Sequence, residues 1–241
     1  MIHEDPPERA RDEAFSMRLI RLGQIISILA TTVAAFATIF GSVRGRNEKK
    51  FLSGMTRQGN FLKLDYPGTP FNQLLGQNDS GQAVGYYRTK ADGTGPDHAY
   101  IYDENGSVFE LLKIPGSTSA QATGINNSGN SCGFFVDSKG VNHGWVLTGG
   151  NFDILNVPGS TGTQALSLNN KGQVVGSYTD SAGNSHGFAY EERTKAFQPV
   201  DDPDGVSTTV VNGINDHGDM VGFFGTAPIN SGFVATPRNR E

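Results

Sequence analysis

At 241 residues the chain suffices for one large domain or two small ones, and 32 glycines against 18% charged residues favour many turns over long solvated helices. The net charge of −5 is unevenly spread: residues 1–57 hold nine Lys/Arg and six Asp/Glu, whereas residues 58–241 hold ten and eighteen. The acidic larger part repels phosphate backbones, which argues against nucleic-acid binding. Cys132 stands alone, so neither an intramolecular disulfide nor a multi-cysteine zinc site can form.

The first predicted element is a hydrophobic helix. Leu22 to Val43 carries no charged residue, and its 22 residues would span ~33 Å as a helix, enough to cross a bilayer. Residues 1–43 therefore read as an export signal or membrane anchor. Counted from Met17, the expected physiological start, the segment becomes "MRLIR", an apolar stretch and Ala35-Phe36-Ala37, the layout of a cleavable signal peptide. Its full spanning length suits an uncleaved anchor. Both readings place the rest of the chain outside the cytoplasm. Residues 44–58 read as a polar linker and 239–241 as a tail.

Residues 59–238 hold four repeats. Each has an Asn-x-x-Gly turn, beginning at Asn78, Asn126, Asn169 and Asn215, and a second glycine seven residues after the Asn: Gly85, Gly133, Gly176 and Gly222. A Phe precedes a Pro by six residues in every copy, as Phe61/Pro67, Phe109/Pro115, Phe152/Pro158 and Phe197/Pro203. An aromatic recurs at Tyr100, Trp145, Phe188 and Phe233.

In the third copy "TQALSLN", "QVVGSY", "HGFAYE" and "FQPVDD" read as four short strands separated by turn-forming residues. The Pro that opens each connecting segment cannot donate to a ladder, which places the crossover to a new sheet there. No copy keeps a helical period for three turns. The expected fold is all-β: a β-propeller with four blades of four antiparallel strands.

The array begins with a fourth strand, "GNFLKLDYPG", and ends with a third, "SGFVATP". Pairing residues 60–66 with 231–236 would close the ring and remove a sheet edge. A β-helix or an open stack of hairpins is the rival. Small residues two before each Asn, at Gly76, Gly124, Ser167 and Gly213, fit innermost strands that approach closely. The recurring Phe and the third-strand aromatic are expected to pack blade on blade.

The phrases His98-Ala99-Tyr100, His143-Gly144-Trp145 and His186-Gly187-Phe188, each after an Asn-x-x-Gly turn, resemble the HAF family of extracellular repeats. The resemblance covers residues 59–238 and implies a bacterial exported or surface protein. It supplies no catalytic residues. The fourth copy departs from the pattern, with Ser231 where the others have His.

The recurring residues with chemistry to offer are Asp92, Asp137 and Asp180, each six residues before His98, His143 or His186. An Asp and a His on one loop could contact a ligand, act as an acid–base pair or hold a metal. The competing role is structural, with Asp closing the turn and His bonding across the hairpin. The histidines open third strands, roughly 10 Å outside the innermost ones, too far apart to share a metal ion. The run Asp201-Asp202-Pro203-Asp204 reads as a solvated acidic loop, with calcium binding as its alternative. Cys132, in an alternating apolar run, reads as a small buried hydrophobe.

No phosphate loop, nucleophile elbow, zinc-protease motif or dinucleotide fingerprint occurs. The expectation is thus a non-catalytic binding module for glycan or peptide. It has no cofactor, metal or nucleic-acid partner and touches membrane only through its N-terminal segment. A propeller lyase or lactonase and a purely structural surface protein are the alternatives.

Overall fold

Short alternating strands linked by tight turns pair with their neighbours in sequence, and every repeat here does so. The chain divides after Leu62, and the computed structural model describes residues 63–90, 92–205, 207–226 and 229–237 of the second unit. The predicted hydrophobic helix, the linker and the 239–241 tail lie outside the described residues. The first sheet is β1 (Phe71–Gln77), β2 (Gln82–Arg88), β3 (His98–Asp103) and β4 (Val108–Leu111). The second is β5 (Ser119–Ile125), β6 (Ser131–Val136), β7 (Asn142–Thr148) and β8 (Asn151–Leu155). The third is β9 (Gly162–Leu168), β10 (Gln173–Thr179), β11 (Ser185–Glu191) and β12 (Ala196–Val200). The fourth is β13 (Thr209–Ile214), β14 (Met220–Thr226) and β15 (Ile229–Ala235). All pairs are antiparallel neighbours in sequence, and no helix occurs among the described residues.

Successive sheets stack in chain order through alternate faces of their strands. Val84 and Ala99 of the first sheet meet Ala120, Ala122, Phe135 and Trp145 of the second. Cys132, Val146 and Leu155 on the second sheet's far side meet Ala165, Val174 and Phe188 of the third. The third-strand aromatics Tyr100, Trp145 and Phe188 are fully buried. Each also pairs with its own sheet's outer-strand Phe, with ring centroids 5.5, 6.0 and 5.6 Å apart at Phe109, Phe152 and Phe197. The aromatic motif therefore ties β3 to β4 as well as sheet to sheet.

Every innermost strand carries a one-residue bulge just before its small residue, at Leu75, Thr123, Leu166 and Asn212. The bulge turns Thr123 out so that its hydroxyl donates to the Ala165 carbonyl of the next sheet at 3.0 Å. Beside it, a Cβ on Gly76 would lie 3.1 Å from Gly124 Cα, and one on Gly124 would lie 3.3 Å from Ser167 Cα. The first strands of the first three sheets do meet at these positions, as the small residues implied, whereas a Cβ on Gly213 would meet only the Val221 side chain.

The ends of the array differ from the expectation. Among the described residues the fourth sheet has three strands, and of the expected closing strand residues 63–66 run as irregular chain instead of pairing with β15, while 60–62 lie outside the described residues. Leu64 accepts a hydrogen bond from the Asn72 amide at 2.8 Å, and the Tyr66 ring stacks on Tyr87 at 4.0 Å and meets Phe109 edge-on at 5.3 Å. A large aromatic buries more apolar area against three rings than a strand edge could offer it.

Among the described residues nothing packs β13–β15 onto β1 as the other sheets pack. Leu74 occupies the position of the fully buried Ala122, Ala165 and Val211, yet is 39% exposed; Val234 matches buried Val146 and is 71% exposed. Tyr66→Ala should cost about 1–2 kcal/mol through the lost ring pairs, read as a lower urea midpoint. An unchanged midpoint would show that the 63–66 segment contributes nothing to the first sheet.

Candidate binding face

An up-and-down sheet places its β-turns alternately at two edges. The edge with the Asn-x-x-Gly turns is internally satisfied. In each turn the Asn side-chain oxygen accepts the N–H groups two and four residues on, as Asn126 does from Ser128 and Asn130 at 3.0 Å each. The turn glycines Gly81, Gly129, Gly172 and Gly218 have φ near +80°, a conformation that glycine adopts without strain. The Asn amide then reaches the next sheet. Asn78 Nδ2 donates to the Asn126 carbonyl at 2.9 Å, Asn126 to Asn169 at 3.1 Å and Asn169 to Asn215 at 3.0 Å.

A parallel ladder runs one residue on, where the N–H groups of Asp79, Asn127 and Asn170 donate to the side-chain oxygens of Asn127, Asn170 and Asp216. In the sequence these residues read simply as members of Asn-x-x-Gly turns. Their spacing of 43 to 48 residues was the available signal for a sheet-to-sheet role. The ladder ends at Asn215, whose amide turns to Asp219 of its own turn at 3.1 Å.

The opposite edge carries the loops between second and third strands together with the connections between sheets. Thr118 and Thr161, in those connections, donate to the Val136 and Thr179 carbonyls at the next loop's start. All three predicted Asp-x-x-Gly-x-x-His motifs are here. Asp137 Oδ1 accepts the N–H groups of Lys139 and Val141 at 2.8 and 2.9 Å, and Asp180 Oδ1 accepts those of Ala182 and Asn184 at 2.8 Å each. The second oxygen of each faces a histidine: Asp137 Oδ2 lies 3.3 Å from His143 Nε2, and Asp180 Oδ2 lies 3.3 Å from His186 Nε2.

The other ring nitrogens meet a residue from the segment after the outer strand, Asn156 Oδ1 at 2.9 Å and Asp201 Oδ2 at 3.0 Å. His143 and His186 also stack on Phe135 and Tyr178. Each therefore staples a loop, a strand and a crossover. Asp201, read as part of a solvated acidic loop, is a partner in this staple, and its other oxygen accepts the Gly187 N–H at 3.2 Å.

His186, with a carboxylate at each ring nitrogen, satisfies both only as imidazolium. Partial burial pulls the His186 pKa down, but the hydrogen bonds and charges of Asp201 and Asp180 outweigh it and raise the value above 6.5. The side-chain and backbone N–H groups of Asn184, with His186, hold Asp180 down at about 2. The histidine's contribution to stability is complete below its unfolded value of about 6.5 and fades as pH rises through the raised folded value. That of Asp180 is complete above about 4 and fades as pH falls towards 2. Urea midpoints should fall on the alkaline side of 6.5, and His186→Gln should flatten that limb. Identical alkaline limbs in the two proteins would remove the staple's charged form from the account.

The first repeat breaks the pattern. Its loop from Tyr87 to His98 is three residues longer than those from Phe135 to His143 and from Tyr178 to His186. Among the described residues Asp92 bonds within its own turn, to the Thr94 N–H and hydroxyl at 2.8 and 2.6 Å. Arg88 and Asp97 stabilise the longer loop, through an ion pair and an Arg88 bond to the Gly93 carbonyl at 2.8 Å. Asp97 also takes the Gln121 amide at 2.7 Å, while its N–H donates to Ser119 Oγ at 2.9 Å. Four residues after the recurring Phe, where the others place Asn156 and Asp201, this repeat has Lys113. His98 keeps the stacking, on Tyr87 at 4.9 Å, without either staple. It lines a cleft of about 210 Å³ between the first two sheets, with Asp97, Lys113, Ser117, Thr118 and Ser119.

The structure thus brings Asp137 to His143 and Asp180 to His186, but not Asp92 to His98. Lys113 and Ser119, which sequence reading passed over, share the His98 cleft; the Lys among Asn and Asp at one repeat position was the legible sign. Cys132 is fully buried, and that burial pushes its thiol up to about 12, which leaves it without nucleophilic character at neutral pH. No family model matches this chain, and no curated protein matches it either.

Proposed function

We propose that the protein is an exported or cell-surface, non-catalytic repeat module that binds glycan or peptide through the edge carrying the histidine loops and the sheet-to-sheet connections. The observation that carries this is the division of labour between edges. The Asn turns spend their polar groups on laddering sheet to sheet, while the opposite edge has the longer, more varied loops, where the exposed Thr118 and Thr161 donate to backbone carbonyls and keep oxygen lone pairs for polar ligands. Export rests on the apolar Leu22–Val43 segment and on the phrases that resemble HAF extracellular repeats. Among the loop residues, His98 and Asp92 of the first repeat are the freest to meet a ligand, whereas Asp137, His143, Asp180 and His186 shape the loops around it.

The test is a screen of the full chain against immobilised polysaccharides and peptides. His98, His143 and His186 are then replaced by Ala singly and together, beside Asn105→Ala and Ser128→Ala on the other edge. Loss through the histidine edge in a folded protein is expected. Binding that survives the triple replacement but is lost on the Asn-turn edge would place recognition on the wrong side. Fractionation of the native protein tests export, and recovery of a soluble cytoplasmic form retaining residues 1–16 argues against it.

The finer architecture belongs to the same proposal. The four sheets are blades of a propeller, completed by bringing the exposed face at Val234 onto Leu74; the counterparts of Leu74 are buried in the other repeats, and those of Val234 (Ile101, Val146 and Ala189) are buried or half-buried. A short cross-linker between Leu74→Cys and Val234→Cys should join them within one molecule. Links formed only between molecules, or none, would favour an open stack.

A further inference from the structure

The cleft beside His98 is the place where the repeat's own acceptors are missing. In the second and third repeats an acceptor of the chain itself occupies His Nδ1, Asn156 Oδ1 at 2.9 Å and Asp201 Oδ2 at 3.0 Å. A loop carboxylate occupies Nε2 at 3.3 Å in both. In the first repeat the loop carboxylate is turned into its own turn, and the residue at the Asn156/Asp201 position is Lys113, a cation with no ion pair among the described residues. Two donors thus line one cleft where elsewhere a donor faces an acceptor. The one carboxylate in the cleft wall, Asp97, is taken by Arg88 and Gln121. Ser119 accepts the Asp97 N–H, which leaves its hydroxyl hydrogen for another partner.

We propose that this cleft binds the carboxylate of an acidic sugar, a hexuronate unit, which takes the place that the Asp201 carboxylate fills against His186. The proposal rests on the binding-module reading above and names its ligand class. The carboxylate lies between the His98 imidazole and the Lys113 ammonium, and the sugar hydroxyls meet Ser117, Thr118 and Ser119. A volume of about 210 Å³ equals about seven waters at ~30 Å³ each, room for a single sugar unit and not for a folded partner. The Tyr87 ring under His98 fixes the plane of the imidazole, with centroids 4.9 Å apart. The net negative charge of residues 58–241 does not forbid an anion here, because salt screens exposed charges beyond about 8–10 Å and the cleft's own carboxylate is already paired.

The design of the third repeat supplies the decisive variant. Lys113→Asp rebuilds the His186–Asp201 pair beside His98, so the chain occupies its own site without a cavity or an unpaired buried group. The probes are D-glucuronate and a galacturonate trimer, with D-glucose and a neutral galactose trimer as controls, added to the full chain. The readouts are calorimetry and the NMR signals of the His98 ring.

The acidic probes should bind and shift the His98 signals while the neutral ones do not, and Lys113→Asp should weaken binding at least tenfold while the melting curve stays intact. Equal shifts with glucose, unchanged affinity in Lys113→Asp, or no His98 shift at millimolar glucuronate would each overturn the carboxylate site. The two readings fail separately. A neutral glycan or a peptide captured at the histidine edge, with His98 silent to uronate, removes only the carboxylate site. No ligand at that edge removes the binding module as well.

Discussion

Gly133→Ala should cost about 3–5 kcal/mol, a large share of the ~5–15 kcal/mol that holds a domain folded. A Cβ there would lie 2.0 Å from the Gln121 carbonyl oxygen and 2.7 Å from the Trp145 ring. Neither neighbour can give way. Gln121 sits in β5, which is paired to β6 on one side and packed against the first sheet; Trp145 is fully buried in the cluster between the first two sheets. Relief requires breaking ladder bonds or expelling the indole. The equivalent Cβ atoms on Gly85, Gly176 and Gly222 would lie 1.9 Å from Gln73, Gln164 and Val210 oxygens. The recurring second glycine therefore makes room for the innermost strand. Gly222→Ala should be milder than Gly133→Ala, because Phe233 above Gly222 is only half-buried and can swing aside where Trp145 cannot. Urea denaturation of the two variants checks the order. If Gly133→Ala unfolds at the parent's midpoint, the close approach of β5 and β6 is not a constraint on the sequence.

Asn126→Ala should destabilise the protein by about 2–3 kcal/mol, and Asn215→Ala by clearly less. Asn126 is 5% exposed and makes three hydrogen bonds, two inside its turn and one across to the Asn169 carbonyl. Removing it leaves the part-buried N–H groups of Ser128 and Asn130 and the buried Asn169 carbonyl without this partner. Asn215 keeps the same two turn bonds but sends its amide to Asp219 and stands exposed. Asn126→Asp separates the two contributions. It preserves the turn acceptor but turns an anion towards the Asn169 carbonyl oxygen, so it should be destabilising although the turn survives. Hydrogen exchange should then quicken at the contact of the second and third sheets while the β5–β6 turn stays protected. Equal losses at Asn126 and Asn215 would return the Asn motif to turn geometry alone.

The sequence by itself determined the all-β class and the four-strand meander of the first three units. Alternation with period two, Asn-x-x-Gly turns and connection prolines are local instructions, which neighbouring residues carry out unaided. It also determined where the small residues go, since a glycine or serine at a fixed place in each first strand signals backbone approach whatever stands opposite. The tertiary structure decided what depends on the neighbouring sheet. The Asn amides look like turn residues until the next repeat's carbonyl is placed 3 Å away. Tyr66 looks like the end of a closing strand until Tyr87, Tyr100 and Phe109 offer it a three-ring surface. His98, His143 and His186 share one motif, yet two are stapled and one is free. A loop three residues longer and a Lys at the acceptor position separate them, and the two features meet only when strands far apart in sequence are brought to one edge.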